Sequence, residues 1–222
     1  HSHPDEKVRA DSDELVALLT PIVKAFVTDN GHIATNACMQ VFGGHGFIKE
    51  WGMEQFVRDN RINMIYEGTN TIQSLDLLGR KVLGNQGATL KKFGKLVGQL
   101  VAEEGVNEKM AEFINPIAIL GEQMTKFTTE IGFKGMQNPD EVGAAAVDYL
   151  RVAGHLVFGY LFARMAQVSL RAIANGSTDP FYTAKLQTAR FYFAKLFPET
   201  VLLMRTARAG SKVLMDTDAA LA

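Results

Sequence analysis

The chain has 222 residues, of which 47% are hydrophobic and 21% charged, and its formal net charge is -1. This length can bury a sizeable core, and the near-neutral charge gives no electrostatic reason to expect nucleic acid or an anionic membrane as a partner. No unbroken run of eighteen apolar residues is present, so we expect no membrane span. The single cysteine, Cys38, fits a reducing compartment, and we expect a cytoplasmic protein with Cys38 as a buried bystander.

Helical periodicity begins near the N-terminus. Asp11 followed by Glu14 has the spacing of a helix N-cap and its partner, so we expect a helix to begin there. Pro21 lies inside the pattern and should kink this helix or mark its start. The periodicity pauses near residues 29–31 and resumes until the glycine-rich residues 43–46 end it.

Shorter helices are expected next, at 53–63 and at 69–82, with residues 66–68 as their connection. A glycine-bearing turn at 84–87 follows, and beyond it the helical patterns become long. These patterns cover residues 88–103, 107–134, 139–175 and 180–215.

Two of the long helices have strong start signals, Asn138 before Pro139 and Asp179 before Pro180, each a capping residue followed by proline. Pro116 and Pro198 should kink the helices that contain them.

Alternating strand patterns are nearly absent, so an all-α fold is predicted. We expect a helical bundle over residues 1–84, followed by a second, antiparallel helical bundle over residues 88–222. The turn at 84–87 is the predicted boundary between these two domains.

One carboxylate, Glu67, lies between Tyr66 and Gly68 at the junction of two predicted helices. The glycine lets a ligand approach closely, and an apolar neighbourhood would make the carboxylate a stronger base once a ligand displaces water. A single carboxylate can remove a proton next to a carbonyl. The other interpretation, which spacing alone favours, is a surface glutamate at a helix N-terminus capped by Thr69 or Asn70. The segment offers no metal-ligand cluster, so no metal is predicted.

The glycine-rich residues 43–46 (GGHG) could present backbone amides to a phosphate. They lack the spacing of a dinucleotide fingerprint and do not follow a strand, so a tight helical elbow with an exposed His45 is the favoured interpretation. Arg58 and Asp59 are expected to form an ion pair, with Arg58 bracing the connection at 66–68. His155 lies on an apolar helical face and is expected to be a core histidine with satisfied hydrogen bonds.

As a set, these elements resemble the C-terminal region of the acyl-CoA dehydrogenases. Residues 40–47 (QVFGGHGF) resemble the QxxGGxG segment of that family, and residues 65–73 (IYEGTNTIQ) resemble its IYEGTxxIQ segment. Between them, Glu54 and residues 58–59 resemble the acid and the arginine–aspartate pair of the family. Residues 88–222 resemble the C-terminal extension of a bacterial subgroup.

The resemblance implies a flavin-dependent enzyme of fatty acid metabolism that converts an acyl-CoA thioester into a trans-2-enoyl-CoA. Glu67 would be the base that removes the α-proton, and Gly68 would lie beside the substrate. Gln40, Gly44 and Thr69 would contact FAD, the first two often that of a neighbouring subunit. A homo-oligomer and electron-transferring flavoprotein are the implied partners.

Two features limit the resemblance. Thr71 stands where many members have Glu or Gln, so no cofactor contact is assigned to it. Full members also have an N-terminal helical domain and a middle β-domain, so the resemblance implies a fragment that is inactive in isolation. A non-catalytic helical oligomerisation module and an acyl-CoA oxidase-like relative are the alternative hypotheses.

Overall fold

The computed structural model describes residues 2–216, and within that range the chain forms helices and turns without strands. The prediction of an all-α fold is therefore confirmed. The helices are α1 Glu6–Ile22, α2 Thr28–Val41, α3 Met53–Arg61, α4 Asn70–Leu75, α5 Ala88–Glu104, α6 Ala111–Gln137, α7 Asp140–Ala174, α8 Pro180–Phe191, α9 Glu199–Ala207 and α10 Lys212–Met215. Wider π-helical turns follow α1, α4 and α8, at Val23–Val27, Asp76–Val82 and Tyr192–Leu196.

The N-terminal helix begins earlier than predicted. The side chain of Asp5 accepts hydrogen bonds from the amides of Lys7 and Val8 and is the actual N-cap of α1. Asp11 instead pairs with Lys92 of α5 at 2.7 Å, so its carboxylate serves a tertiary contact. The pause expected at residues 29–31 is also wrong, because these residues lie inside α2 and the chain is helical from α1 through the π turn to α2.

Pro21 and Pro116 lie inside the continuous helices α1 and α6, so the kinks expected at these prolines stay predictions. Asp179 caps α8 through the amide of Phe181, as predicted. The side chain of Asn138 accepts a hydrogen bond from the amide of Asp140 at the start of α7, but Pro139, expected as the first helical residue, occupies the N-cap position. Pro198 lies where the last long pattern breaks, between a π turn and α9.

Cys38 is exposed, and the prediction of a buried cysteine is wrong. The reason is that no residue of α2 is fully buried and Cys38 lies on the part of this helix that the other described elements leave exposed.

One aromatic ring joins the N-terminal helices to the long helix α7. Phe26, in the π turn after α1, is 1% exposed, and its ring meets those of His155 and Phe158 edge-on, each with a centroid distance of 4.9 Å. Gly154 leaves the space that this ring fills, because a Cβ atom at position 154 would lie 2.4 Å from the ring carbons. The contact between the two halves of the chain therefore requires glycine at the middle of α7.

The two halves of the chain share one hydrophobic core. Leu18 of α1 and Leu78 of the turn after α4 belong to the same cluster of buried apolar residues as Phe127 of α6 and Leu156 of α7. The predicted turn between the halves is present, with Gln86 and Gly87 in the left-handed conformation. The division into two domains stays a prediction, since the packing is continuous across this turn.

The 35-residue helix α7 is long and apolar enough to cross a membrane by length and composition alone, with a mean hydropathy of 1.2 over its best window. It packs against α6 on one flank and against α8 and α9 on another, and its buried residues run from Ala145 to Ser169. A core helix of a soluble protein passes the same test, so its length and hydropathy alone do not indicate a membrane span.

A hydrogen-bonded cluster around His155 lies inside this packing. His155 is 3% exposed, its Nδ1 atom lies 2.9 Å from the hydroxyl of Tyr192, and its Nε2 atom lies 2.9 Å from a carboxylate oxygen of Glu199. Arg151 donates to both oxygens of that carboxylate, at 2.7 and 2.9 Å. Burial lowers the pKa of His155, so the ring is neutral and donates its Nε2–H to Glu199. The prediction of a satisfied core histidine is confirmed.

We predict that Gly154→Ala destabilises the protein by about 1–3 kcal/mol, because the added methyl group overlaps the ring of Phe26. Gly143→Ala, in the same helix, is the matched control: a Cβ atom there meets nothing within 4 Å. That change should stabilise α7 by up to about 1 kcal/mol through helix propensity. Denaturant titration measures both, and equal effects of the two substitutions would contradict the role assigned to Gly154.

We also predict that acidification destabilises the fold, beginning near the ordinary histidine pKa of 6.5. Because the pKa of His155 is lowered in the folded state, the unfolded chain binds the proton more readily, and the free energy of unfolding falls as pH falls through this range. Burial raises the pKa of Glu199, but hydrogen bonds from His155 and Arg151 lower it overall, which adds a loss below its ordinary value of 4.5.

Denaturant titrations at about pH 7.5 and about pH 5.5 measure the histidine contribution. His155→Gln should remove most of the stability difference between the two conditions, since glutamine keeps a donor but does not titrate. His45→Gln, at an exposed position, should retain the difference. A difference that survives in His155→Gln would assign the acid sensitivity to another group.

Candidate functional site

The connection between α3 and α4 contains a left-handed elbow at Glu67 and Gly68. Their φ angles are 56° and 83°. Among the described residues other than glycine, only Glu67 and Gln86 have a positive φ. This conformation costs a non-glycine residue about 1–2 kcal/mol, and such strain concentrates at functional sites. The strained residue is the carboxylate that the sequence singled out, and its side chain is exposed.

Both carbonyl oxygens of the elbow accept hydrogen bonds from side chains. Lys24, in the π turn after α1, donates from Nζ to the carbonyl oxygen of Gly68 at 2.7 Å and to Oδ1 of Asn70 at 2.8 Å. Gln73 of α4 donates from Nε2 to the carbonyl oxygen of Glu67 at 3.0 Å. These bonds hold the backbone of Glu67 in its strained conformation while its carboxylate faces solvent.

Asn70, the first residue of α4, fixes the far side of the elbow. Its Nδ2 atom lies 2.6 Å from a carboxylate oxygen of Asp29 and 3.0 Å from the hydroxyl oxygen of Thr28. Thr69 is the N-cap of α4 and accepts from the amide of Ile72 at 3.4 Å. The helix that follows the elbow is thereby anchored to the start of α2.

A cavity of about 310 Å³ adjoins this network. Thr69 and Thr71 line it from the α4 side, and Arg61 lines it from the end of α3. Asp29 of α2 also lines it, and α7 contributes a wall through side chains that include Leu150 and Arg151. The helical extension therefore contributes directly to the surroundings of the motif residues.

The second motif forms a separate surface at the end of α2. Gly43, with φ of 59°, and Gly44 begin a short 3-10 turn, and a Cβ atom at either position would meet nothing within 4 Å. Their backbone is therefore open to a ligand. Gly46 has a different role: it is buried, and a Cβ atom there would lie 2.3 Å from the carbonyl oxygen of Met39. Gln40, in the last turn of α2, is exposed.

The structure brings Glu67, Gly68 and Thr69 together but keeps Gln40 and Gly44 apart from them. Thr28 of α2 contacts the elbow network, and Gln40 lies twelve residues further along that helix. At 1.5 Å per residue, this separation is about 18 Å. Within one chain, the two predicted groups of site residues therefore form two distinct surfaces.

Arg58 and Asp59 form no ion pair in the described part of the chain, so this prediction is wrong. Asp59 accepts a hydrogen bond from Nε2 of Gln55 at 2.7 Å, one helical turn earlier. The physical reason is that adjacent side chains on a helix diverge, while those at i and i+4 meet. Lys24 braces the elbow in place of Arg58. Its only signal in the sequence is a charge within the apolar run PIVKAFV.

Together, the fold and the site define an all-α domain that presents one carboxylate on a strained, hydrogen-bonded elbow. Residues 7–83 match the family model described as acyl-CoA dehydrogenase, C-terminal domain. Residues 89–218 match the model described as acetyl-CoA dehydrogenase C-terminal like. The chain belongs to the acyl-CoA dehydrogenase family and corresponds to its C-terminal region.

Individual relatives agree with this assignment. The 3-methylmercaptopropionyl-CoA dehydrogenase of Ruegeria pomeroyi is 34% identical over 201 residues, which cover 89% of this chain and 34% of that protein. A butyryl-CoA dehydrogenase of Syntrophomonas wolfei is 28% identical over 97% of this chain and 36% of its own length. A broad-specificity linear acyl-CoA dehydrogenase of Mycobacterium tuberculosis is 24% identical over 91% of this chain and 35% of its own length. The chain thus spans about a third of the length of these relatives.

We predict that Lys24→Met loosens the elbow, because the carbonyl of Gly68 and the side chain of Asn70 lose their shared donor. The global free energy of unfolding should fall by only about 1 kcal/mol. Amide hydrogen exchange at Tyr66 and Gln73, whose amides are hydrogen-bonded on the two sides of the elbow, should accelerate more than in the core helices. Lys49→Met, at an exposed position, is the control. Unchanged exchange at the elbow in Lys24→Met would show that the lysine does not hold it.

Proposed function

We propose that this chain is the C-terminal part of a flavin-dependent acyl-CoA dehydrogenase in which Glu67 is the catalytic base. The observation that carries the proposal is the elbow: a strained carboxylate-bearing residue, held through its own carbonyl and that of Gly68. Family membership supports the reaction class. Before substrate binds, a general base must be held in a fixed position, but it need not be buried.

Each residue of the elbow would have a different role in the reaction. Glu67 would remove the proton from the α-carbon of the acyl-CoA thioester, and the hydrogen bonds from Lys24 and Gln73 keep its backbone from relaxing. Gly68 has no side chain, which allows the thioester to approach the elbow closely. Substrate and the remaining domains would then exclude water from the carboxylate, which strengthens it as a base.

The glycine turn at the end of α2 fits FAD. The open backbone of Gly43 and Gly44 can be approached by a planar or phosphate-bearing group, and the neighbouring Val41 and Phe47 are 86% and 79% exposed, offering apolar surface. Gln40 and Gly44 would hold the cofactor there, and Thr69 would hold it at the elbow. Bound FAD would supply the acceptor for the β-hydrogen, which leaves as hydride.

The separation of about 18 Å along α2 supports a shared arrangement, in which Gln40 and Gly44 serve the flavin of a neighbouring copy. A homo-oligomer would also cover the apolar side chains that α2 and α3 expose. We propose electron-transferring flavoprotein as the electron acceptor and the cytoplasm as the location of the enzyme.

Glu67→Gln in the whole enzyme tests the base assignment. Turnover of acyl-CoA should fall by about 10²–10⁴-fold or more, since glutamine cannot accept the α-proton, while flavin content and thermal stability stay unchanged. Glu50→Gln, an exposed glutamate in the same region, should retain full turnover. If Glu67→Gln keeps most of its activity, the carboxylate is not the base.

Further measurements separate the alternatives. If the wild-type whole protein binds no flavin and turns over no acyl-CoA, the chain belongs to a non-catalytic oligomerisation module. Oxygen consumption coupled to turnover would indicate an oxidase-like relative. The isolated 222-residue chain should be inactive and should bind FAD weakly or not at all, because it spans only about a third of its relatives. A stoichiometric flavin spectrum from this chain would contradict that expectation.

A further inference from the structure

A second cavity lies far from the elbow along the sequence, in the helical extension. It is a groove of about 750 Å³ between α5 and α6, which we call the α5–α6 groove. This volume lies within the range of about 300–1,000 Å³ that is typical of small-molecule sites. Apolar side chains dominate its lining, among them Leu90, Val97, Val101, Ala118, Met124 and Leu156.

Three glycines leave the groove open, although a Cβ atom at these positions would not clash with the surrounding atoms. Gly94 and Gly98 lie one turn apart on α5, and Gly121 lies on α6. A Cβ atom at any of the three would meet nothing within 4 Å, in contrast to Gly154. Each glycine inside a helix costs about 1 kcal/mol relative to alanine, so the space is maintained against helix propensity.

Positive charge lies along one wall of the groove. Lys91 and Lys95 are exposed, lie one turn apart on α5, and form no ion pair or side-chain hydrogen bond within residues 2–216. Their neighbour Lys92 pairs with Asp11, and the charge of Lys95 helps to lower the pKa of that carboxyl without forming an ion pair with it. Glu122, on the α6 wall, is the one acidic side chain among the described lining residues. The rim therefore carries a net positive charge.

The positive end of a helix adds to this charge. Gln86 and Gly87, which line the groove, immediately precede α5. The first turn of α5 has neither a side-chain cap nor an acidic residue, so its free amides and its dipole remain uncompensated there. Lys91 lies at this same end, while the apolar lining continues along α5 as far as Val101.

We propose that the α5–α6 groove binds a linear alkyl carboxylate, a fatty acid anion, with its head at Lys91 and Lys95 and its chain along the glycines. From Leu90 to Val101 the groove runs about 17 Å at the helical rise of 1.5 Å per residue, which suits an extended alkyl chain. The site lies in the extension, does not involve Glu67, and does not depend on the function proposed for the elbow.

The charge at one end of the groove favours an anionic amphiphile over an apolar helix face from a second copy. Lys91, Lys95 and the uncapped N-terminus of α5 make this end positive, and the buried side chains of Val97, Met124 and Leu156 form an apolar floor. A carboxylate joined to an alkyl chain matches both features.

An NMR titration of the 222-residue chain with decanoate tests the site, with decyltrimethylammonium as the amphiphile of opposite charge. Decanoate, kept below the concentration at which it forms micelles, should shift the amide signals of Gly94, Gly98 and Gly121 saturably. The ammonium compound should bind at least about tenfold more weakly. Shifts elsewhere, no saturable shifts, or equal binding of both amphiphiles would overturn the proposal.

Two test variants, each with a control variant, address the binding of the alkyl chain and of the carboxylate head separately. Gly98→Leu fills the groove without a backbone clash and should weaken decanoate binding at least about tenfold. Gly143→Leu, where a Cβ atom also meets nothing within 4 Å but which lies outside the groove, should leave binding unchanged. The double variant Lys91→Gln, Lys95→Gln should weaken decanoate binding by about tenfold, while Lys126→Gln should not.

Thermal unfolding confirms that each variant is folded before binding is compared. Undiminished binding in folded Gly98→Leu would place the ligand outside the groove and overturn the proposal. Sedimentation measures the oligomeric state and tests whether the groove is instead an interface between copies. A dimer of the wild-type chain that Gly98→Leu abolishes, with no decanoate binding in the wild type, would identify the groove as an interface between copies and equally overturn it.

Discussion

The packing of Phe26 into the space left by Gly154 is the contact on which the arrangement of the functional residues depends. It joins the N-terminal helices to the middle of α7, across more than half of the chain. Lys24 lies two residues before Phe26 in the same π turn, and side chains two positions apart on a helix point to different faces. Burial of Phe26 against α7 therefore directs Lys24 away from the core and toward the elbow at Glu67.

The extension is part of the site's scaffold. α7 supplies Gly154 for the core contact, and Arg151, one turn earlier, both lines the cavity beside Thr69 and binds Glu199. Glu199 in turn accepts a hydrogen bond from the buried His155. Acidification that disturbs this cluster would therefore affect the same helix that positions the motif residues. The motif-bearing segment and the extension are thus coupled through α7, in addition to the ion pair between Asp11 of α1 and Lys92 of α5.

The elbow illustrates how a strained conformation is maintained. Glu67 adopts a left-handed backbone that glycine would tolerate better, and its carboxylate is the group that we propose as the base. Lys24 and Gln73 offset the strain through hydrogen bonds to the elbow carbonyls, and Asn70 anchors the following helix. These bonds involve the backbone of the elbow, so within the described part of the chain the side chain of Glu67 stays available for the role proposed above.

Local chemistry was sufficient to predict much of this protein. The all-α fold and the starts of α7 and α8 follow from helical periodicity and from caps such as Asn138 and Asp179, which act over a few residues. The motif residues, too, were recognisable as a linear pattern, and the family models match the same segments.

Contacts between distant parts of the chain were decided only by the tertiary structure. Asp11 has the spacing of a cap but pairs with Lys92, and Lys24 reaches Gly68, 44 residues away. Cys38 lies in an apolar stretch that faces solvent, because no described element packs over α2 there. Spacing along a helix sets which side chains share a face, but which face is buried, and which distant partner a charge meets, depends on the packing of the whole chain.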